Sequence, residues 1–221
     1  RLRVYLRKDD PAMEKLKVQD VTAYHQCYYI GHKVGYPLYE NTDVVFYKEA
    51  ADGFHAQIEE MKKAQKFIFM EYHAIEDREA FAEMKAVLFA KAKEGVEIRI
   101  VYDDVGSVGF ISPEFVKQMK THGIDCRIFN PMMPVLNIFM NNRDHRKITV
   151  IDGRVGFTGG YNLANEYFNI THPYGVWKDS GVRLEGEAVR SLTLIFMEMW
   201  NAIRDTDTEY EKYLPDGVFE A

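Results

Sequence analysis

The sequence predicts an α/β domain, a mixed β-sheet flanked by helices on both faces. Two observations carry that expectation. Short runs dense in Ile, Val and aromatic residues, such as "KFIFMEYH" (Lys66–His73), alternate with amphipathic segments of helical period, and such alternation packs helices against a sheet. The chain of 221 residues, 47% hydrophobic and 14% aromatic, is long enough to bury a core without disulfide or metal staples.

The elements follow in order. Pro11–Gly31 reads as one helix, with Pro near its start and Gly at its end. "DVVFYK" is a short strand, and "EAADGFHAQIEEMKKAQ" a helix that places Phe54, Ile58 and Met61 on one face. Lys66–His73 is a buried strand. "DREAFAEMKAVLFAKAKEG" is a long helix closed by Gly95. "VEIRIVYDD" is the next strand, and "SPEFVKQMKTHG" a helix with Ser112 as N-cap and Pro113 in the first turn. "DCRIFN" is a strand. Pro131–Asn142 has two prolines and fits neither period. "KITVID" and "RVGFTG" are strands separated by Gly153, and "YNLANEYF" is a short helix. "GVWKDSGVRLEG" is a strand, and "EAVRSLTLIFMEMWNAIRD" the closing helix, its Met and Trp residues in the core. There is no linker and no internal repeat. Residues 1–40 are expected to form an N-terminal helical, juxtamembrane-like segment, and residues 41–221 a single domain.

Net charge is −6, with a pI near 5.7. Non-specific nucleic-acid binders draw their affinity from Lys and Arg on phosphates, so no nucleic-acid partner is expected. A local cationic patch for an anionic substrate stays open. Cys27 and Cys126 follow no metal-ligand spacing and suggest a reduced, cytosolic-facing environment. No apolar run reaches the length of a bilayer span, and no signal peptide is visible. The start "RLRVYLRKDD" reads equally as the flank of a removed membrane segment or as an arbitrary boundary.

The chemistry concentrates in "DHRKITVIDGRVGFTGGYN" (Asp144–Asn162). His145 and Lys147 share one face of a strand. Asp152 stands at the turn into the next strand. Gly159 and Gly160 let the backbone approach something closely, and Asn162 offers an amide. A cation, a close backbone approach and an amide suit phosphate oxygens, and a His suits attack on phosphorus or proton transfer.

The spacing H-x-K-x4-D-x6-G-G-x-N resembles the phospholipase D superfamily motif, in its GG form most like the bacterial cardiolipin synthases. "KFIFMEYHAIED", "VEIRIVYDDVGS", "FNPMMPVLNIFMNNRDHRK" and "VWKDSGVRLEGEAV" are similar to stretches of that family, so the resemblance spans roughly residues 40–205. It implies a phospholipase D-like catalytic half-domain at the cytoplasmic side of the cell membrane, without metal or cofactor. The implied activity is a phosphatidyltransferase that condenses two phosphatidylglycerols to cardiolipin and glycerol. His145 is the implied nucleophile, forming a phosphohistidine. Lys147 and Asn162 hold the non-bridging oxygens. Asp179 orients His145, with Glu166 and Glu185 as rivals. Asp152 completes the catalytic set as a support for the loop and Lys147. Gly159, Gly160, Glu71 and Arg143 form the expected substrate-binding set, with structural readings open for Glu71 and Arg143.

The superfamily uses two histidines, one attacking and one protonating the leaving alkoxide. No second H-x-K exists here: His25, His32, His55, His73, His122 and His172 all lack it. The resemblance therefore implies a second catalytic half or a homodimer partner, alongside a phospholipid substrate and a membrane surface. Hydrolysis by a phospholipase or nuclease, and a silent anion-binding or assembly domain, are the alternatives. Asp103 and Asp104 read as loop solvation or capping rather than a metal pair. Arg146 reads as a lipid contact or a surface charge. "PMMPVLNIFM" contacts acyl chains, the core or the missing half.

Overall fold

A computed structural model describes residues 2–6, 11–132 and 140–214. Seven strands form one mixed sheet: β1 (Thr42–Tyr47), β2 (Phe67–Tyr72), β3 (Glu97–Asp103), β4 (Asp125–Phe129), β5 (Lys147–Ile151), β6 (Val155–Gly159) and β7 (Gly181–Gly186). Their order is β1-β7-β6-β5-β2-β3-β4. β2, β3 and β4 are parallel, while β5, β6, β7 and β1 pair antiparallel. Helices α4 (Glu79–Lys93) and α5 (Pro113–Thr121) make the crossovers of the parallel half, as parallel strands require.

Alternation along each strand sorts side chains to two cores. Ile68, Met70 and Tyr72 of β2 pack with α3 (Ala50–Lys62), α4 and α5. Phe54, Ile58 and Met61 are buried in that core, as their spacing predicts. Phe67 and Phe69 face the other way, onto α6 (Val189–Ile203), where Phe69 stacks on Phe196 at 4.6 Å. Met197 and Trp200 are buried there. The helical layers thus cover both faces.

The structure differs from the sequence expectation at three places. The N-terminal helix is two helices, α1 (Pro11–Gln19) and α2 (Val21–Tyr29), the latter running into a π-turn, Ile30–Val34. Asp20 breaks it. Its backbone is extended, and its carboxylate accepts from the N–H groups of Thr22 and Ala23, so a cap restarts the helix. Gly35, not Gly31, takes the left-handed conformation at the end (φ 91°). The segment before β7 is loop through Ser180. Asn169 turns left-handed (φ 55°), and its amide side chain bonds both the N–H and the C=O of Trp177. The helix expected in "YNLANEYF" shrinks to a 3-10 turn, Asn165–Phe168. Residues 133–139, the middle of the Pro131–Asn142 segment, lie outside the described residues. Among the described residues no helix is long and apolar enough to cross a membrane.

Candidate active site

The register brings the motif to one edge of the sheet. Tyr72, the last residue of β2, pairs with Lys147, the first of β5. Gly159 at the end of β6 pairs with Gly181 at the start of β7. The carboxyl ends of β2, β3 and β6 therefore meet the amino ends of β5 and β7, in the position where open α/β sheets build sites.

His145 is exposed just ahead of β5, and among the described residues no hydrogen bond reaches either ring nitrogen. Lys147 is 5% exposed, and its Nζ donates to the His145 carbonyl at 2.8 Å. Burial holds the Lys147 pKa below its usual value, while the nearby Asp144 and Asp179 charges oppose that fall. The Lys147 charge, burial and His73 together hold the His145 imidazole below its ordinary value, against Asp144 and Asp103. His145 is thus biased toward the neutral, nucleophilic form. Asn162 is buried; its Oδ1 accepts from the Ala74 N–H at 3.1 Å, and its Nδ2 donates to the Tyr167 hydroxyl at 2.7 Å.

The double glycine admits protein. A Cβ on Gly160 would lie 2.0 Å from the Asp179 carboxylate, and one on Gly159 would lie 2.6 Å from the Ser180 carbonyl. The close approach is that of Asp179 and Ser180, brought to the edge that carries Lys147. Asp179 Oδ1 accepts from the Ser180 N–H at 2.8 Å. Of its rivals, Glu166 stands in the 3-10 turn. Glu185 pairs with Arg154 and Arg183 and faces Val155 across the sheet, at the opposite edge.

Three expected site residues are engaged by other protein groups. Asp152 is at the far end of β5, where its carboxylate accepts from the N–H groups of Gln65, Lys66 and Phe67. It supports the turn into β2 and makes no contact with Lys147. Glu71 is fully buried on the α6 side of β2, with Arg146 Nε 2.7 Å away; alternation sends it to the face opposite Tyr72. Arg143 bonds the Asn130 carbonyl and Asp103 Oδ1, so its guanidinium ties loop ends together. Asp103 and Asp104 likewise serve backbone: Asp103 accepts from Gly106 and Asp144 N–H, and Asp104 from Met132 N–H. No cluster of metal-ligating side chains occurs among the described residues.

Two neighbours escaped the sequence reading. The His73 ring lies 4.9 Å from that of His145, and Asp144 is buried beside them. The available signal was position: His73 ends a buried strand.

The family described as cardiolipin synthase, PLD-like domain, matches residues 57–200. An uncharacterized protein of Streptococcus mutans is 37% identical over 99% of this chain and 47% of its own length. Cardiolipin synthase 2 of Staphylococcus epidermidis is 34% identical over 94% of this chain and 44% of its own length. The chain thus spans about half the length of the curated relatives it matches. Among solved structures, the phospholipase D family member Nuc from Salmonella typhimurium superposes with a TM-score of 0.55 at 19% identity, covering 76% of this chain and 98% of that one; this likeness bears on the fold alone. By the match over residues 57–200 and by these relatives, the chain belongs to the phospholipase D superfamily, in its cardiolipin synthase-like branch.

Proposed function

We propose that the chain is one catalytic half of a phosphatidyltransferase of the cardiolipin synthase type, working at the cytoplasmic membrane surface. The observation that carries this is the gathering of His145, Lys147, Asn162 and Asp179 at one sheet edge, with His145 exposed and its ring nitrogens unengaged. A ring nitrogen of His145 attacks the phosphorus of phosphatidylglycerol. The P–N bond forms as the P–O bond to glycerol breaks, and the leaving alkoxide takes a proton from a general acid on the second half or a second copy. The hydroxyl of another phosphatidylglycerol, deprotonated by that same group, then attacks phosphorus and frees His145. Lys147 spends one N–H on the His145 carbonyl and keeps two for phosphate oxygens; Asn162 keeps one beyond its bond to Tyr167. Asp179 is the proposed orienting acid.

The rim supports a lipid substrate. Met140, on the segment leading to His145, and Tyr174 and Val176, on the segment leading to Asp179, are exposed, and adaptable apolar surface suits acyl chains.

The test is turnover of phosphatidylglycerol vesicles by the chain, alone and with a second half supplied. His145→Ala is expected to lower turnover by more than about 10³-fold and leave the melting temperature in place, because the side chain is exposed. Unchanged turnover would overturn the proposal. The single H-x-K favours one further reading, an anion-binding domain without turnover. Phosphate binding lost in Lys147→Met, with no turnover under either condition, would select it.

A further inference from the structure

His73 is enclosed more completely than an ordinary strand-end residue requires. Its Nδ1 lies 2.7 Å from the Asp144 carbonyl. A carbonyl only accepts, so Nδ1 carries the hydrogen. The N–H of the same Asp144 donates to Asp103 Oδ2 at 2.9 Å, and Asp103 Oδ1 stands 3.8 Å from His73 Nδ1. His73, Asp103 and the Asp144 backbone thus close a ring of contacts on the residue before His145. On the other side, the His145 carbonyl is held by Lys147. The loop after β3 is shaped to the imidazole. A Cβ on Gly106 would lie 2.7 Å from His73 Cδ2 and Cε1, and Ser107 Oγ donates to the His73 carbonyl at 3.4 Å. The two imidazoles pack at 4.9 Å with a 51° tilt. That is too close for a phosphoryl group to sit between them, so His73 is not the acid on the far side of phosphorus.

We infer that His73 is a positioning residue, fixing the backbone of Asp144 and the ring of His145 in the orientation for attack. The inference rests on His145 being the nucleophile. Its electrostatic setting agrees: His73 and Lys147 disfavour a proton on His145, while Asp103 and Asp144 favour one.

The experiment is a ¹⁵N imidazole NMR titration of the full chain, which needs no turnover, with His145→Ala to assign the resonance. His73→Phe keeps a ring against His145 and removes the donor. His73→Asn keeps an amide donor for the Asp144 carbonyl and removes the ring. His73→Phe is expected to raise the His145 titration midpoint and shift the backbone amide resonances of Asp144 and His145, with His73→Asn, which keeps a donor for the Asp144 carbonyl, restoring those resonances at a raised midpoint. A His145 midpoint and Asp144 and His145 amide resonances unchanged in both variants would overturn the inference. In the turnover assay His73→Phe is expected to lower kcat by about 10²-fold, with partial rescue by Asn and little change in KM. If His145→Ala abolishes turnover and both His73 variants match the parent chain, the inference fails and the proposed function stands. If His145→Ala leaves turnover intact, the proposed function fails, and the titration still decides whether His73 orients His145.

Discussion

At one end of β5, Asp152 accepts three backbone N–H groups, from Gln65, Lys66 and Phe67, at 2.8 to 2.9 Å. Asp152 (φ 52°) and Gly153 (φ 67°) are both left-handed and turn β5 into β6, a conformation that Asp and Gly tolerate. At the other end His145 is exposed with its ring nitrogens unengaged among the described residues, and Lys147 is a buried cation with donors to spare. A strand rises about 3.3 Å per residue, so the five steps from Lys147 to Asp152 separate them by roughly 17 Å. One contiguous motif therefore spans two jobs. Its spacing records the length of a strand, with polar groups left open at one end and a turn fully satisfied at the other.

Substitutions at the two ends should have crossed effects. Lys147→Met removes the cation and keeps the stem. Turnover is expected to fall by about 10²–10³-fold, with stability within about 1 kcal/mol of the parent chain. The pH profile sharpens this. If His145 attacks as the proposed function has it, it does so as the neutral ring, and activity rises with pH through its pKa, which Lys147 holds below the ordinary value. Losing Lys147 moves that rising limb to higher pH. A rate loss with the limb unmoved would mean that Lys147 acts on substrate alone.

At the other end, Asp152→Ala is expected to cost about 2–4 kcal/mol in urea unfolding, since it deletes three charge-assisted hydrogen bonds and strains a left-handed residue. Asp152→Asn tolerates the turn and should cost about half as much. Turnover per folded molecule should match the parent chain at a temperature where both are folded. A selective loss of turnover would erase the distinction between the two ends.

Elements with strong local periodicity were legible. The strands at Phe67–Tyr72 and Glu97–Asp103 and the helices at Glu79–Lys93 and Pro113–Thr121 fall within the predicted runs, and Ser112 caps as expected, accepting from the Phe115 N–H. The break at Asp20 was missed because one side chain preferring a cap outweighed a continuous helical pattern. The site was legible only in part. His145, Lys147 and Asn162 come from one segment, so their spacing shows. His73 and Asp103 reach them through the pairing of β2 with β5 and of β2 with β3, which is a matter of long-range register. Asp152 was assigned to the support of the loop and of Lys147; it holds a turn, but the intervening strand separates it from Lys147. Glu71 was placed with the substrate groups because it ends a strand; its face depends on alternation, which puts it opposite Tyr72.

Glu71 supplies the subtlest contrast, because it lies at the active edge of the sheet but behind it. It is fully buried, with Arg146 Nε at 2.7 Å and that same nitrogen 3.1 Å from Asp144 Oδ1. One partly exposed cation serves two buried carboxyl groups. Burial first, then the Asp144 charge, pushes the Glu71 pKa up to about 9, against the pull of Arg146. A raised carboxyl pKa means that the folded chain holds a proton the unfolded chain releases. The associated stability is complete below the unfolded value of 4.5 and is lost as pH rises toward about 9. Glu71→Gln stays neutral in both states. It should match the parent chain within about 1 kcal/mol at pH 5 and grow relatively more stable as pH climbs to 9, in urea unfolding at pH 5, 7 and 9. Parallel curves for the two proteins would mean that Glu71 is ionised behind the site, paired with Arg146. The carboxylate would then add a negative charge near His145 and oppose the influence of Lys147.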